Sequence, residues 1–314
     1  MLYPAAVERI AAVVDIDPDV VLDGFDRADL ADVELLITGW GCAPLTADVL
    51  AAAPRLRAIV HTAGTVRHHV TEECWERGIE VSSAAAANAV PVAEFAVAMI
   101  LLAGKRAPEI ARRFRRERVQ QDWNALFPEA GNYRATVGLL GASLIGRRVA
   151  ELLRPFDVEV LLHDPYVADD EVRALGAEPV ALDELFARSG VVSLHAPLLP
   201  STRGMVDARL LGLMRDGATL LNTARGGLVD DAALEHELLS GRLRAVLDVT
   251  TPEPLPADSP LWDCEGVLLT PHIAGSKGNE LRRLADFAAA EVQRWAAGQP
   301  FAHPVRRELL PLTA

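Results

Sequence analysis

The chain has 314 residues, half of them apolar, and a formal net charge of −13. That length suits two domains with substantial cores and argues against a disordered chain. The acidic balance disfavours partners that are themselves anionic, so neither nucleic acid nor a membrane surface is expected as a partner. Only two lysines occur, Lys105 and Lys277. There is no Gly-Lys-Ser/Thr, which excludes a P-loop, and neither lysine sits in a recognisable pyridoxal pocket motif. The three cysteines, Cys42, Cys74 and Cys264, form no C-x-x-C, which points to a reducing cytoplasm and to no metal centre.

No basic segment followed by an apolar stretch marks a signal peptide at the N-terminus. The first hundred residues alternate short apolar runs with helical stretches. Leu35–Thr38 and Ala58–His61 are expected strands, and Ala47–Ala52 and Glu72–Arg77 the helices between them. Pro91 is read as opening a long apolar helix from Val92 to about Gly104. Its apolar run, Phe95 to Ala103, is too short to span a bilayer. Arg106 to Tyr133 is polar and irregular and is read as a connector. The basic run Arg112, Arg113, Arg115, Arg116, Arg118 is taken as a solvated helix face.

A second α/β series begins at Ala135. Strands are expected at Thr136–Leu140, Val158–His163, Val191–His195, Ala218–Asn222, Arg244–Val249 and Val267–Thr270. Helices are expected at Leu144–Leu153, Asp169–Leu175, Leu182–Arg188, Ala208–Met214, Asp230–Ser240 and Asn279–Ala297. Six strands joined by crossovers make a doubly wound sheet.

The first strand of this series runs into the turn Gly141-Ala-Ser143-Leu-Ile-Gly146. Gly141 permits the tight turn, and Gly146 lets the helix pack close to the sheet. The amides of Leu144 and Ile145 lie at a helix N-terminus, where a pyrophosphate binds. Ser143 replaces the usual middle glycine. The second strand ends at His163-Asp164, 18 residues after Gly146. An acid there accepts hydrogen bonds from a ribose and repels a 2′-phosphate, so NAD is the expected cofactor.

Three polar residues follow later strands: Arg225 in Asn222-Thr-Ala-Arg225-Gly-Gly, Glu253 in Thr251-Pro-Glu253-Pro, and His272 in Thr270-Pro-His272-Ile. Loops beyond the carboxyl ends of such strands form the ligand crevice. A histidine suits proton transfer near neutral pH, a carboxylate fixes its tautomer, and an arginine fork binds carboxylates.

With these motifs the chain resembles the D-isomer-specific 2-hydroxyacid dehydrogenase family. The resemblance is densest from Val137 to Gly275 and includes Ser193-Leu-His195-Ala-Pro197 with Thr202, Asn222–Asp230, Leu247–Pro254 and Asn88–Glu94. It implies a Rossmann-type cofactor domain (105–279) inserted into a discontinuous, flavodoxin-like substrate domain (1–104 and 280–314), both doubly wound parallel sheets. It implies an NAD-dependent enzyme interconverting a small D-2-hydroxy acid and its 2-keto acid. His272 would be the acid/base, Glu253 its partner, and Arg225 the ligand of the substrate and a neighbour of the cofactor. Asp248 would hold the nicotinamide amide, and Ala196, Pro197, Thr202, Thr223 and Ala224 would line the cofactor. Amides around Gly64 and Thr65 would bind the substrate carboxylate. The resemblance also implies a closing interdomain cleft, and a homodimer to which the stretch around Trp123 would contribute.

Many relatives carry an acid and an asparagine soon after that glycine, where this chain has Arg67, His68 and His69. One expectation is that these three cations favour a substrate with a second anionic group. Glu253 argues against a formate-type enzyme, whose histidine lacks this partner. A phosphite-oxidising enzyme is a further reading. A dinucleotide-sensing corepressor of the same fold is the alternative from another functional class, since such proteins can retain all three polar residues.

Overall fold

A computed structural model of the chain describes residues 3–25 and 29–312. Residues 1–2 and 313–314, the outermost parts of the expected substrate domain, lie outside the described residues. The chain divides into two compact units, Met1–Ala89 with Ser276–Ala314, and Val90–Gly275.

The first unit begins with α1 (Pro4–Ala11), which has proline in its first turn, where a missing N–H costs nothing. It continues through β1 (Leu35–Thr38), α2 (Ala47–Ala52), β2 (Ala58–His61), α3 (Glu72–Glu76) and β3 (Glu80–Ser83). The three strands are parallel in the order β1-β2-β3, with Thr38 opposite His61 and His61 opposite Ser83. The loop after His61 therefore leaves the carboxyl end of the central strand. β3 was not expected from the sequence, because Glu-Val-Ser-Ser offers one apolar residue and no alternation.

Helix α4 (Ala85–Gly104) crosses from one unit to the other and contains Pro91 within it. This corrects the reading of Pro91 as a helix start. The alanines 84–87 are the strongest helix formers, and their propensity carries the helix past a proline that removes one backbone hydrogen bond. At 20 residues α4 is long and apolar enough, by length and composition, to cross a bilayer. The expectation of too short a span rested on the run Phe95 to Ala103, which follows Glu94, whereas the helix that holds it begins at Ala85. In this fold Ala93, Ala96, Val97, Ile100 and Ala103 belong to the core of the second unit.

The expected connector is instead largely helical, with α5 (Ala107–Glu117) and α6 (Trp123–Leu126). Its arginines are only partly solvated. The Arg112 guanidinium donates to the carbonyls of Cys264 (3.1 Å) and Val267 (2.7 Å), and Arg116 pairs with Glu265. Trp123 packs edge-on against Phe114 and stacks on Phe127, so it anchors this helical arm locally.

The second unit continues with β4 (Ala135–Leu140), α7 (Leu144–Leu153), β5 (Val158–His163), α8 (Asp169–Ala174), β6 (Glu178–Pro179), α9 (Leu182–Arg188) and β7 (Val191–Leu194). Then come α10 (Ala208–Leu213), β8 (Thr219–Asn222), α11 (Asp231–Leu239), β9 (Arg244–Leu247) and β10 (Val267–Leu269). All seven strands are parallel, in the order β10-β9-β8-β7-β4-β5-β6. The unexpected seventh is β6, two residues ending in Pro179, which an edge position tolerates. Successive strand residues serve opposite faces, as the two-residue period requires. Leu139, Val191 and Leu221 pack with α4 and α7, while Leu140, Val192 and Leu220 pack with α9, α10 and α11. The strand order reverses at β4 and β7, and the crevice of such a sheet opens at their carboxyl ends.

Helix α12 (Leu281–Ala296) returns to the first unit and lies on α1, with Ala6, Ile10, Ala285, Ala288 and Val292 in one core. Glu291, 1 % exposed, accepts hydrogen bonds from Ser82 Oγ (2.9 Å) and Ala302 N (3.1 Å). A buried carboxylate with two donors meets the requirement that buried charge be hydrogen-bonded.

Candidate active site

The dinucleotide turn lies between β4 and α7. Gly141 has φ +103°, and a Cβ on it would fall 2.7 Å from Ala196 N. A Cβ on Gly146 would fall 2.0 Å from the Gly141 carbonyl oxygen. Both positions therefore require glycine for close packing. Ser143 is the N-cap of α7 in an extended conformation (φ −63°, ψ 177°), and its Oγ accepts from Gly146 N at 3.4 Å. This position makes no demand for a positive φ, so a serine fits it. The N–H groups of Leu144 and Ile145 have no acceptor among the described residues, as expected for a first helical turn.

Asp164 stands beyond β5 and serves the turn itself. Its Oδ2 accepts from Ala142 N at 2.7 Å and its Oδ1 from Tyr166 N at 2.9 Å. Each oxygen keeps a lone pair for a ribose hydroxyl. In the loop after β7, Thr202 Oγ1 donates to Pro197 O (2.6 Å) and accepts from Leu199 N (2.8 Å), shaping the segment that carries Ala196 and Pro197. Thr223 is 7 % exposed, and its Oγ1 is buried without a hydrogen-bond partner among the described residues. The free helix amides, the spare lone pairs of Asp164 and this orphaned hydroxyl fit a dinucleotide.

Arg225, Glu253 and His272 follow β8, β9 and β10. Asn222, at the end of β8, shapes the arginine loop: its side chain accepts from Ala224 N (3.0 Å) and donates to Arg225 O (2.9 Å). Arg225 donates to Ala224 O at 2.6 Å. Burial pulls its guanidinium below its ordinary pKa, and the Glu253 carboxylate opposes that shift. An arginine remains cationic under such a perturbation.

His272 Nδ1 and Glu253 Oε1 are 2.7 Å apart, with side chains 51 % and 42 % exposed. His272 adopts φ +53°, unusual for a residue other than glycine. Asp248, 1 % exposed, holds that loop: Oδ1 accepts from Thr270 Oγ1 (2.6 Å) and Ile273 N (2.8 Å), and Oδ2 from Ala274 N (2.9 Å). Much of the acceptor capacity of Asp248 is thus spent on the protein. Asn222, Thr270 and Asp248 as a loop anchor were missed in the sequence. Asn222 alone had a local signal, an asparagine directly after a strand and before a tight loop.

In the first unit, the loop after β2 carries Gly64 and Thr65. The N–H groups of Ala63, Gly64, Thr65 and Val66 have no acceptor among the described residues. Ser83 Oγ donates to the carbonyls of Ala63 and Gly64, and Thr65 Oγ1 accepts from Arg67 N at 3.3 Å. A run of unpaired amides in a turn is an anion-binding feature. The expected cluster of three cations is not what folds here. His69 is 3 % exposed, and its Nε2 lies 3.3 Å from Thr38 Oγ1, whose other partner is His61 Nδ1 at 2.9 Å. Burial, with the charge of His68 adding to it, holds His69 down at about 4, so it is neutral at pH 7. Arg67 is half-buried and His68 is exposed.

A parallel sheet with a glycine turn at its switch point and an acid closing the next strand defines an NAD-binding protein. Residues 97–274 match the NAD-binding domain of the D-isomer specific 2-hydroxyacid dehydrogenases, and the chain belongs to that family. It is 32 % identical over 306 residues to D-3-phosphoglycerate dehydrogenase of Mycobacterium tuberculosis, covering 95 % of this chain and 56 % of that protein. It is 32 % identical over 269 residues to glyoxylate reductase of Korarchaeum cryptofilum, covering 85 % and 81 %. The chain thus spans just over half the length of the phosphoglycerate dehydrogenases it matches. Among solved structures, D-lactate dehydrogenase from Aquifex aeolicus, complexed with NAD and lactic acid, is similar with a TM-score of 0.72 and 28 % identity, covering 94 % of this chain and 92 % of that one.

Proposed function

We propose that the protein is an NAD(H)-dependent D-2-hydroxyacid dehydrogenase that acts as a 2-keto acid reductase. The observation that carries this reading is the 2.7 Å contact of His272 Nδ1 with Glu253 Oε1, in the unit that holds the dinucleotide turn. Bound NADH supplies the hydride for the keto carbon. Glu253 occupies Nδ1 of the imidazole, so Nε2 is the nitrogen left to face a substrate. The protonated ring donates from Nε2 to the carbonyl oxygen and is left neutral, with its remaining proton on Nδ1 toward Glu253. Arg225 supplies a forked cation for the substrate carboxylate and for charge developing on the carbonyl oxygen. The unpaired amides around Gly64 and Thr65 are proposed carboxylate donors. Asp164 selects NAD by accepting from the ribose.

Reduction of glyoxylate, pyruvate and hydroxypyruvate should be followed by NADH absorbance. His272→Gln should lower kcat at least about a hundredfold while NADH binding, read by fluorescence, persists. Arg225→Lys should lose affinity and rate together, since one ammonium cannot reproduce the fork. Normal turnover by His272→Gln would refute the mechanism. A homodimer is also proposed, because Phe114, Val119 and Leu126 of the helical arm are exposed apolar side chains. Light scattering at micromolar concentration tests it, and a monomer mass would end the idea.

A further inference from the structure

The loop that carries the unpaired amides of residues 63–66 is closed at its base by three buried polar side chains. His61 ends β2 immediately before the loop, and His69 ends the loop itself. Their rings lie 4.4 Å apart, centroid to centroid. Both reach the hydroxyl of Thr38 at the end of β1: His61 Nδ1 is 2.9 Å and His69 Nε2 3.3 Å from Thr38 Oγ1. A hydroxyl carries one proton, so Thr38 donates to one ring and accepts from the other. Two neutral imidazoles in complementary tautomers satisfy this arrangement, and burial, foremost, holds both rings neutral at pH 7. The backbone repeats the join. Thr62 N and Thr62 Oγ1 each donate to Thr38 O at 2.8 Å, and Leu45 N donates to His69 O at 2.8 Å. Between these ends, Val66 O accepts from His69 N (3.2 Å) and Val70 N (2.9 Å), which folds the segment into a turn. Apolar side chains of like shape would fill the same space without the cost of desolvating three polar groups. What the shared hydroxyl adds is direction, since each bond fixes one ring and the backbone on one side of the loop.

We propose that Thr38, His61 and His69 are positioning residues that clasp the two ends of this loop and so set the affinity of the amides of residues 63–66 for the substrate carboxylate. This rests on the keto acid reductase reading. The three side chains act through the backbone and touch no substrate. Thr38→Val removes the hydroxyl at nearly constant volume, and Thr38→Ser keeps it. His69→Leu removes the ring nitrogen, and His69→Gln puts an amide nitrogen in its place. The experiment measures kcat and KM of the full chain with NADH and whichever of glyoxylate, pyruvate and hydroxypyruvate it reduces fastest, well below each variant's unfolding temperature. Thr38→Val and His69→Leu should raise KM for the keto acid at least about tenfold with kcat within about threefold, because binding lost equally from ground and transition states falls on KM. NADH affinity should not change, since the dinucleotide turn shares no residue with the clasp. Thr38→Ser and His69→Gln should recover most of the lost affinity. A hydrogen bond that only stabilised the core would lower Tm and leave KM at the wild-type value. That result in folded Thr38→Val, or in folded His69→Leu if the first variant does not fold, would overturn the proposal. A parallel fall of kcat and NADH affinity would overturn it too. If the wild type reduces no acid although NADH binds, the reductase reading fails and takes this one with it.

Discussion

The backbone carbonyl of Asp248 accepts the N–H of His272 at 3.0 Å. Together with the three bonds to its carboxylate, Asp248 takes four hydrogen bonds from residues 270–274. This explains how His272 is kept at φ +53°, a conformation that costs about 1–3 kcal/mol and persists only where the surroundings over-determine it. Asp248→Asn replaces one acceptor oxygen by an NH2 facing an N–H or hydroxyl donor. Stability should fall by roughly 2–3 kcal/mol, the worth of hydrogen bonds to a buried charge. The rate of keto acid reduction should fall about tenfold or more as His272 loses its position. Urea unfolding and single-turnover kinetics check both, and an unchanged midpoint would show that the carboxylate does not hold the loop.

Asp164 accepts from Ala142 N at 2.7 Å within the dinucleotide turn, and its proposed second task is to accept from the cofactor ribose. Asp164→Ser should raise the affinity for NADPH relative to NADH, because the charge that repels a 2′-phosphate is gone. It should also weaken both cofactors and lower Tm by a few degrees, corresponding to about 1 kcal/mol. Titration calorimetry with both nucleotides reads the ratio. A wild type that already prefers NADPH would refute the role of Asp164.

Gly146→Ala tests the packing of the turn independently of charge. The added Cβ would sit 2.0 Å from the carbonyl oxygen of Gly141 and 3.2 Å from His195 Cβ. A backbone oxygen cannot rotate away as a flexible side chain does, so α7 must lift from the sheet. The expected result is a loss of at least about 3 kcal/mol, at the upper end of overpacking effects, and no measurable NADH binding. Wild-type affinity in this variant would mean that the turn opens without cost.

The sequence was most legible where period and punctuation agree. Helix α7 and strand β5 match their expected bounds, because a glycine turn starts one and the His163-Asp164-Pro165 ending closes the other. Arg225, Glu253 and His272 were visible because each follows an apolar strand. What stayed hidden depends on contacts distant in sequence. Asp248 reads as one more polar residue after a strand, yet its partners lie 22 to 26 residues onward. His69 reads as one of three loop cations, but Thr38, 31 residues away, draws it inside. Pro91 misled because the preference of proline for a first helical turn was weighed without the alanine run before it.

That withdrawn histidine has a consequence for acid stability. Burial foremost, with the charge of His69 adding to it, lowers His61 to about 3. Burial also lowers His195 to about 4, as it does His69. Their ordinary value is 6.5, which they regain on unfolding. Above pH 6.5 both states hold them neutral, and stability does not depend on them. As pH falls below 6.5 the unfolded chain takes up three protons that the folded chain refuses, so stability is lost until the folded values near 3 to 4 are reached. Each histidine contributes a slope of up to about 1.4 kcal/mol per pH unit. Carboxylates titrate mostly below this range, so the loss between pH 6 and 5 belongs to the histidines. Urea midpoints at half-unit steps should show it, and His69→Asn should reduce the slope by about one third, its share of three equivalent groups. A variant with the wild-type slope would mean that His69 is protonated in the folded protein.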